Sequence, residues 1–331
     1  MHCALRTFRL ASLVALALAA TAVVVTGPGV AAPAAPASAG PAVSALASHR
    51  AVYDLRLVRS QGKRALEAVN GRILYDFSGN ACDGWVLQFR QVSQLDSGEG
   101  RVAVSDLRSS TFEDANAKSF RFTSQNFIDG KPGDPVDGKA ERRDGKIAVT
   151  LTKPKPTTFD LDGDVVFPTE HMRRVIAAAR EGKHLLQLPV YDGSETGQKV
   201  YDTLTVIGPP VGPASSPTAK PADKAPPTGA IGDTSAERSP GKSAERSTDK
   251  SADESAKLSV DEAALAGLVH WPVTVSYFDR GAARGEQTPV YAIGFELYEN
   301  GVSRDLSLDY GDFVVAGEMS RLDLKAARSC R

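Results

Sequence analysis

Apolar and polar residues alternate in short runs along most of the chain, a pattern typical of β-strands with one buried face. The clearest example is residues 71–95, GRILYDFSGNACDGWVLQFRQVSQL, where two alternating runs flank a turn that contains Cys82. Similar runs recur at 53–57, 120–122 and 147–151. We therefore predict a mainly β structure built from antiparallel strands.

Asn-Gly and Asp-Gly dipeptides punctuate these runs, and such dipeptides favour tight hairpin turns with positive φ. Asn300–Gly301 is the strongest hairpin signal in the chain. The other dipeptides of this kind are Asn70–Gly71, Asp83–Gly84, Asp129–Gly130, Asp137–Gly138, Asp144–Gly145, Asp162–Gly163 and Asp192–Gly193. Their spacing predicts an antiparallel meander.

One segment has helical periodicity instead. Thr169 is a suitable N-cap and Gly182 is placed to end the helix. The apolar stripe between them has i, i+3, i+4, i+7 spacing and consists of Met172, Val175, Ile176 and Ala179. We expect this helix to plug or cover one side of the sheet.

The first residues have the features of a signal peptide, which we assign to residues 1–40. Arg6 and Arg9 precede an apolar run at 10–25, and an Ala/Pro/Gly-rich stretch with A-x-A sites follows. Cleavage is expected between residues 32 and 48, and the alternative is an uncleaved membrane anchor. Cys3 lies ahead of the apolar run, whereas an acylated lipoprotein cysteine would follow it, so we expect no lipid anchor.

Export places the two remaining cysteines, Cys82 and Cys330, in an oxidising compartment, where distant cysteines most often form a structural disulfide. The alternative is two free, buried thiols. Closing so long a loop would destabilise the unfolded chain by about 5 kcal/mol in the chain-entropy model. Such a bond would require the last strand to lie beside the early hairpin.

The middle of the chain differs in composition from both flanks. Residues 209–257 contain no aromatic residue, are rich in Pro, Ala, Ser, Lys and Asp, and repeat the motif SAERS. Because such a segment has little to bury, we predict a disordered linker or insertion. Residues 41–208 and 258–331 are then two parts of a single β domain.

The C-terminal part resumes the alternating pattern and predicts about four more strands. Ser259 and Glu262 form a possible capping box that opens a short helix. The alternation slips by one residue around Ser320, which predicts a β-bulge. A dozen or more strands in total favours a sheet that curls, so we predict a large, curved, barrel-like antiparallel sheet with one or two helices.

Charge and motifs give little support for an enzyme or a nucleic-acid-binding protein. The chain has 39 basic and 40 acidic residues, so nothing points to nucleic acid. The motif DLDGDVVFPTEH places Asp160, Asp162 and Asp164 at calcium-loop spacing, but Val165 and His171 stand where that loop needs Gly and Glu. We predict no metal, no cofactor and no catalytic residues, with a hydrolase as a minor alternative.

A concave apolar surface is the functional feature that a curled sheet favours. If the sheet curls, several large apolar side chains are candidates to line a ligand cavity. The predicted lining residues are Trp85, Leu87, Phe89, Trp271, Tyr291 and Phe295. The alternative is that these side chains fill the core.

Five segments together resemble the EipB-like family of periplasmic cell-envelope integrity proteins of alphaproteobacteria. From the first to the last, they span nearly the whole chain after the signal peptide, and the last of them is long and specific. The segments are HRAVYDLRL (49–57), GRILYDFSGNACDGW (71–85), YDGSETGQKVYDT (191–203), WPVTVSYFD (271–279) and FELYENGVSRDLSLDYGDFVVAGEMSRLD (295–323).

This resemblance implies a spiral, half-barrel-like sheet with a disulfide between Cys82 and Cys330, and a fold that looks like lipoprotein carriers of the LolA and LolB kind. It also implies a periplasmic protein that maintains envelope integrity without catalysis. Such a protein would bind a lipid, lipopeptide or peptide ligand, or would alternatively act as a structural adaptor that docks another envelope protein. The insertion at 209–257 departs from the family pattern.

Overall fold

The computed structural model describes residues 46–61, 66–98, 100–212, 262–281, 288–326 and 330. They form fifteen strands, one α-helix and a 3-10 helix at Glu262–Ala264. The helix α1 is Pro168–Arg180. The strands are β1 (His49–Ser60), β2 (Ala68–Asn80), β3 (Gly84–Asp96), β4 (Val102–Glu113), β5 (Ser119–Ile128), β6 (Lys131–Pro132), β7 (Val136–Arg143), β8 (Lys146–Lys153), β9 (Thr157–Asp162), β10 (Leu185–Val190), β11 (Tyr201–Ile207), β12 (His270–Asp279), β13 (Tyr291–Tyr298), β14 (Ser303–Asp309) and β15 (Phe313–Leu324).

All fifteen strands belong to one antiparallel sheet, which confirms the predicted mainly β class. The strand order is β10-β11-β12-β13-β14-β15-β1-β2-β3-β4-β5-β7-β8-β9, with β6 paired to β5. Strands β11 and β12 are neighbours in the sheet although residues 208–269 separate them in the chain. Both flanks of the predicted insertion therefore build the same sheet.

The pairing of β15 with β1 joins the tail of the chain to its front. Its register runs from His49 opposite Leu324 to Ser60 opposite Phe313. The register shifts at Ser320, which confirms the predicted bulge. This ladder pairs the first strand of the described chain with the last one.

Cys82 and Cys330 form a disulfide, as predicted, with their Cα atoms 5.7 Å apart. The expectation that the last strand lies directly beside the early hairpin was wrong, because β1 lies between β15 and β2. The disulfide instead crosses over β1 and ties the β2–β3 turn to the segment that follows β15. It reinforces a contact that the β1–β15 ladder already establishes.

The sheet curls until its two ends approach each other, but it does not close into a barrel. Strands β9 and β10 are the ends of the strand order. Just beyond β9, Val166 forms an isolated parallel bridge with Val190. Across the interior, the ring of Phe122 on β5 meets Tyr191, next to β10, edge-to-face at 5.6 Å. The strands therefore wrap around a shared interior.

Helix α1 packs inside the curl, as the apolar stripe predicted. Val175 and Ile176 join a buried cluster with Phe77, Trp85 and Trp271, in which the rings of Phe77 and Trp85 stack 5.0 Å apart. Burying aromatic side chains of this size dominates core energetics. The helix therefore plugs one end of the curled sheet.

The start of the helix differs from the prediction. Thr169 lies in the first turn rather than at the N-cap, which is Phe167 and provides no side-chain cap. The carboxylate of Glu113 on β4 instead accepts hydrogen bonds from the N–H groups of Thr169 and Glu170, at 2.6 and 2.7 Å. Burial raises the pKa of Glu113 to about 7, although these bonds oppose the shift.

Most of the turns predicted from Asn-Gly and Asp-Gly dipeptides occur in the structure. Asn300–Gly301 makes the turn between β13 and β14, with Gly301 at a φ of 85°. Asn70–Gly71 and Asp137–Gly138 are exceptions, because they lie inside β2 and β7. A Cβ on Gly71 would come within 2.4 Å of the carbonyl oxygen of Val92, so this glycine permits close approach of strand β3 rather than a turn.

Several predictions fall on residues outside the described ranges. These are the signal peptide at 1–40, the insertion at 209–257 from residue 213 onward, and Ser259 of the proposed capping box. Glu262 begins only a short 3-10 helix. Within the described part of the chain, the one α-helix is too short and too polar to span a bilayer.

We expect Cys82→Ser to fold and to unfold at a lower temperature than the wild type. The β1–β15 ladder remains intact, but the unfolded chain regains entropy worth up to about 5 kcal/mol. Thermal unfolding monitored by circular dichroism, with and without reductant, provides the measurement. Reductant should lower the wild-type midpoint and leave that of the variant unchanged, and equal midpoints for oxidised wild type and variant would contradict the stabilising role.

We expect Glu113→Ala to destabilise the protein by about 1–3 kcal/mol, because two N–H groups of the first helical turn lose their acceptor. Glu113→Gln keeps one carbonyl oxygen and should cost less. Urea unfolding gives the free energies. Glu318→Ala, at an exposed position on β15, is the matched control and should lie close to wild type. A Glu113→Ala variant as stable as this control would argue against the cap.

A tyrosine-lined cavity as candidate functional site

Beyond the helix, the interior of the curl holds a cavity of about 510 Å³. Residues from β1 to β4 form one wall and residues from β12 to β14 form the other. Met172 contributes from helix α1, and Asp192 contributes from the loop after β10. A volume of this size lies within the range of about 300–1,000 Å³ typical of small-molecule sites.

Strand alternation explains how the walls are built. On β13, Tyr291, Ile293 and Phe295 are two residues apart and therefore share the inner face. On β2, Ile73 and Tyr75 do the same. Because the sheet curls, these faces turn toward each other across the cavity.

Tyrosine rings with free hydroxyl groups distinguish this cavity from an ordinary core. The rings of Tyr277 and Tyr291 stack at 4.4 Å. Tyr53 donates its hydroxyl hydrogen bond to the carbonyl of Ser303 at 2.7 Å. Among the described residues, the hydroxyls of Tyr75, Tyr277 and Tyr291 have no hydrogen-bond partner, and burial raises the pKa of each. A ligand could therefore meet both apolar surface and polar groups.

Three of the six predicted lining residues lie on the cavity wall: Phe89, Tyr291 and Phe295. The other three do not line it. Trp85 and Trp271 are each 3% exposed within the core under helix α1, and Leu87 packs against that core. Alternation places these side chains on one face of their strands, but it does not reveal which part of that face the helix covers.

Sequence reasoning missed several residues of the site. The sequence predicts Asp192 only as part of a turn, and it assigns no role to His49. Tyr277 follows Trp271, Val273 and Val275 on the same strand face. This alternation was the available signal for Tyr277, whereas the loop position of Asp192 left no comparable signal.

His49 is a buried, neutral part of the wall. Its Nδ1 lies 2.8 Å from the carbonyl oxygen of Ala47, so Nδ1 carries the proton and Nε2 is an acceptor. Nε2 has no partner among the described residues, and the ring stacks on Tyr75 at 5.5 Å. Burial lowers the pKa of His49, with a smaller effect in the same direction from Lys325.

Asp192 carries the one carboxylate among the described lining residues. Its Oδ1 accepts a hydrogen bond from the N–H of Ser194 at 2.9 Å, which closes an Asx turn. Burial raises the pKa of Asp192, and the hydrogen bonds from Ser194 oppose this shift. The cavity thus combines an apolar lining with one acidic group.

No group of three or more potential metal ligands occurs within the described residues. Two of the three aspartates of the calcium-like motif have cationic partners: Asp160 lies 3.9 Å from Lys146, and Asp162 lies 3.6 Å from Arg280. Both carboxylates are exposed to solvent at more than half of their side-chain surface. They are solvated residues near the edge of the sheet.

A family model described as EipB-like matches residues 41–228 and 242–326. The chain belongs to the EipB-like family. Cell envelope integrity protein EipB of Brucella abortus is 36% identical over 279 residues, which cover 84% of each chain.

A crystal structure with a similar fold agrees with this assignment. It is described as a β-barrel-like protein of a domain of unknown function from Brucella abortus. It superposes with a TM-score of 0.65 at 33% identity, covering 86% of this chain and 100% of the other. The fold and the family that the sequence segments indicated are thereby confirmed.

We expect acid to destabilise the protein partly through His49. Its pKa is lowered in the folded state, so the neutral ring contributes stability above the unfolded value of about 6.5, and this stability is lost as the pH falls below it. His49→Gln should therefore lose less thermal stability than wild type between about pH 7.5 and about pH 5.5.

His184→Gln is the control, because His184 lies on the exposed surface and its Nδ1 contacts the carbonyl of Ile207. Its acid-induced decrease in midpoint should equal that of the wild type. An identical decrease in His49→Gln would show that His49 is not responsible.

Proposed function

We propose that this EipB-like protein maintains cell-envelope integrity in the periplasm by binding an apolar ligand, without catalysis, in its tyrosine-lined cavity. The observation that carries the proposal is the cavity of about 510 Å³ inside the curl. If the interior served stability alone, larger side chains that filled this space would stabilise the fold, because the residues around an empty cavity lose van der Waals contacts.

Two further observations support the proposal. The Brucella relative carries the name cell envelope integrity protein. The wall offers apolar strands together with unpaired tyrosine hydroxyls, the combination with which small-molecule sites fix the body and the orientation of a ligand. A lipid or another amphiphile fits this combination.

A structural adaptor without a ligand is the second candidate, and the edge strand β10 favours it. Among the described residues, this strand pairs along its length with β11 and otherwise forms only the Val166–Val190 bridge at its end, and Leu185 on it is 62% exposed. Exposed strand edges can pair with an extended segment of another protein. In this case the cavity would be irrelevant to the role in the envelope.

Filling the cavity distinguishes the two functions. Leu107→Trp adds an indole ring at the wall and should weaken binding of phenylnaphthylamine, an uncharged apolar fluorophore, by about tenfold or more. Fluorescence titration gives the affinity. Val206→Trp adds the same ring at an outward position that is 46% exposed and should bind like wild type.

The same two variants should be tested for restoring detergent resistance to cells that lack the protein. We expect Val206→Trp to restore resistance and Leu107→Trp, if it has near wild-type thermal stability, to fail. Full restoration by a folded Leu107→Trp that does not bind the fluorophore would favour the adaptor. Absence of fluorophore binding by the wild type would refute the ligand-binding function.

A further inference from the structure

The carboxylate of Asp192 lacks a counter-charge. No Lys or Arg among the described residues lies within ion-pair distance of it. The nearby Lys199 already binds Glu195 at 2.7 Å and Asp279 at 3.0 Å. A half-buried carboxylate without a cationic partner is unfavourable, so an occupant that supplies positive charge would be stabilised.

The charge of Asp192 also affects the pKa values of two tyrosines in the cavity wall. Burial is the main reason that the pKa values of Tyr277 and Tyr291 are raised, and the negative charge of Asp192 raises both further. The carboxylate lines the same cavity as this stacked tyrosine pair. Tyrosine faces attract cations through their quadrupole, so the pair and the carboxylate favour the same kind of ligand group.

The surroundings identify the kind of cation. A metal ion needs several oxygen or nitrogen ligands, and the described residues contain no group of three or more that could hold one. A primary ammonium group needs one carboxylate and hydrogen-bond acceptors, which the hydroxyl oxygens of Tyr277 and Tyr291 provide. The apolar wall beyond, with Phe89 and Phe295, suits an aliphatic chain.

We propose that the cavity selects single-chain amphiphiles with a primary ammonium head group, which pairs with Asp192 while the chain lies along the apolar wall. This inference rests on the proposed function, because it specifies the ligand of the same cavity. It predicts a preference that depends on the head group, whereas a purely apolar site would bind equal chains equally.

Displacement of phenylnaphthylamine by three dodecyl compounds tests the preference. Dodecylamine, dodecanol and laurate share one chain and differ in the charge of the head group, and each is used below its micelle-forming concentration. Wild type should bind dodecylamine about tenfold or more tighter than dodecanol, and laurate weakest of the three.

Asp192→Asn should remove this order by weakening dodecylamine binding about tenfold, while dodecanol binding changes little. The asparagine side-chain oxygen can still accept the bond from Ser194, so the turn is expected to persist. Asp160→Asn is the matched control, since it removes the same charge from an exposed position on β9. It should retain the wild-type preference.

Each outcome has a separate meaning. Fluorophore binding with equal affinities for the three compounds in the wild type would overturn the ammonium preference and leave the proposed function standing. Absence of any fluorophore binding would overturn the proposed function and this inference with it. Retention of the preference in Asp192→Asn would assign it to another group. The wild-type comparison alone decides the inference if that variant fails to fold.

Discussion

The ladder between β1 and β15 is the contact on which the rest of the structure depends. It pairs residues from His49 to Ser60 with residues from Phe313 to Leu324, more than two hundred positions apart in sequence. Because it places the two halves of the chain edge to edge, one continuous sheet can curl around one interior. Two separate sheets would each leave an apolar face exposed to water.

The covalent bond is secondary to this ladder. Cys82 and Cys330 are 248 residues apart, so the disulfide strongly reduces the conformational entropy of the unfolded chain. In the folded state, however, it bridges segments that their pairing with β1 already holds in place. Strand pairing fixes register residue by residue, whereas one crosslink fixes only a distance. The shape of the interior therefore follows from the ladder, whereas the ladder and the disulfide both contribute to stability against unfolding.

Sequence patterns predicted the class, the helix and the bulge at Ser320, because each has a local signature, whereas the disulfide was predicted because only two cysteines follow the signal peptide. Prediction of the site was partial for a physical reason. Trp85, Leu87 and Phe89 share one strand face, and period-2 alternation cannot tell which of them lie in the core and which line the cavity. Only the position of helix α1 in space decides that Trp85 is covered and that Phe89 faces the cavity. Gly71 shows the same limit, since its neighbour Val92 is distant in sequence.

Helix α1 closes one end of the interior of the curled sheet and so bounds the cavity on that side. Its first turn lies against the carboxylate of Glu113, and its apolar side covers the two tryptophans, so the helix fills one end and leaves the other hollow. Among the described residues, several polar atoms of the hollow part have no hydrogen-bond partner, namely the hydroxyls of Tyr75, Tyr277 and Tyr291 and Nε2 of His49, and the carboxylate of Asp192 has no cationic partner. Unpaired hydroxyls and an uncompensated carboxylate lower stability when buried. Their presence on a wall that strand pairing holds rigid is therefore most simply explained by the chemistry of an occupant.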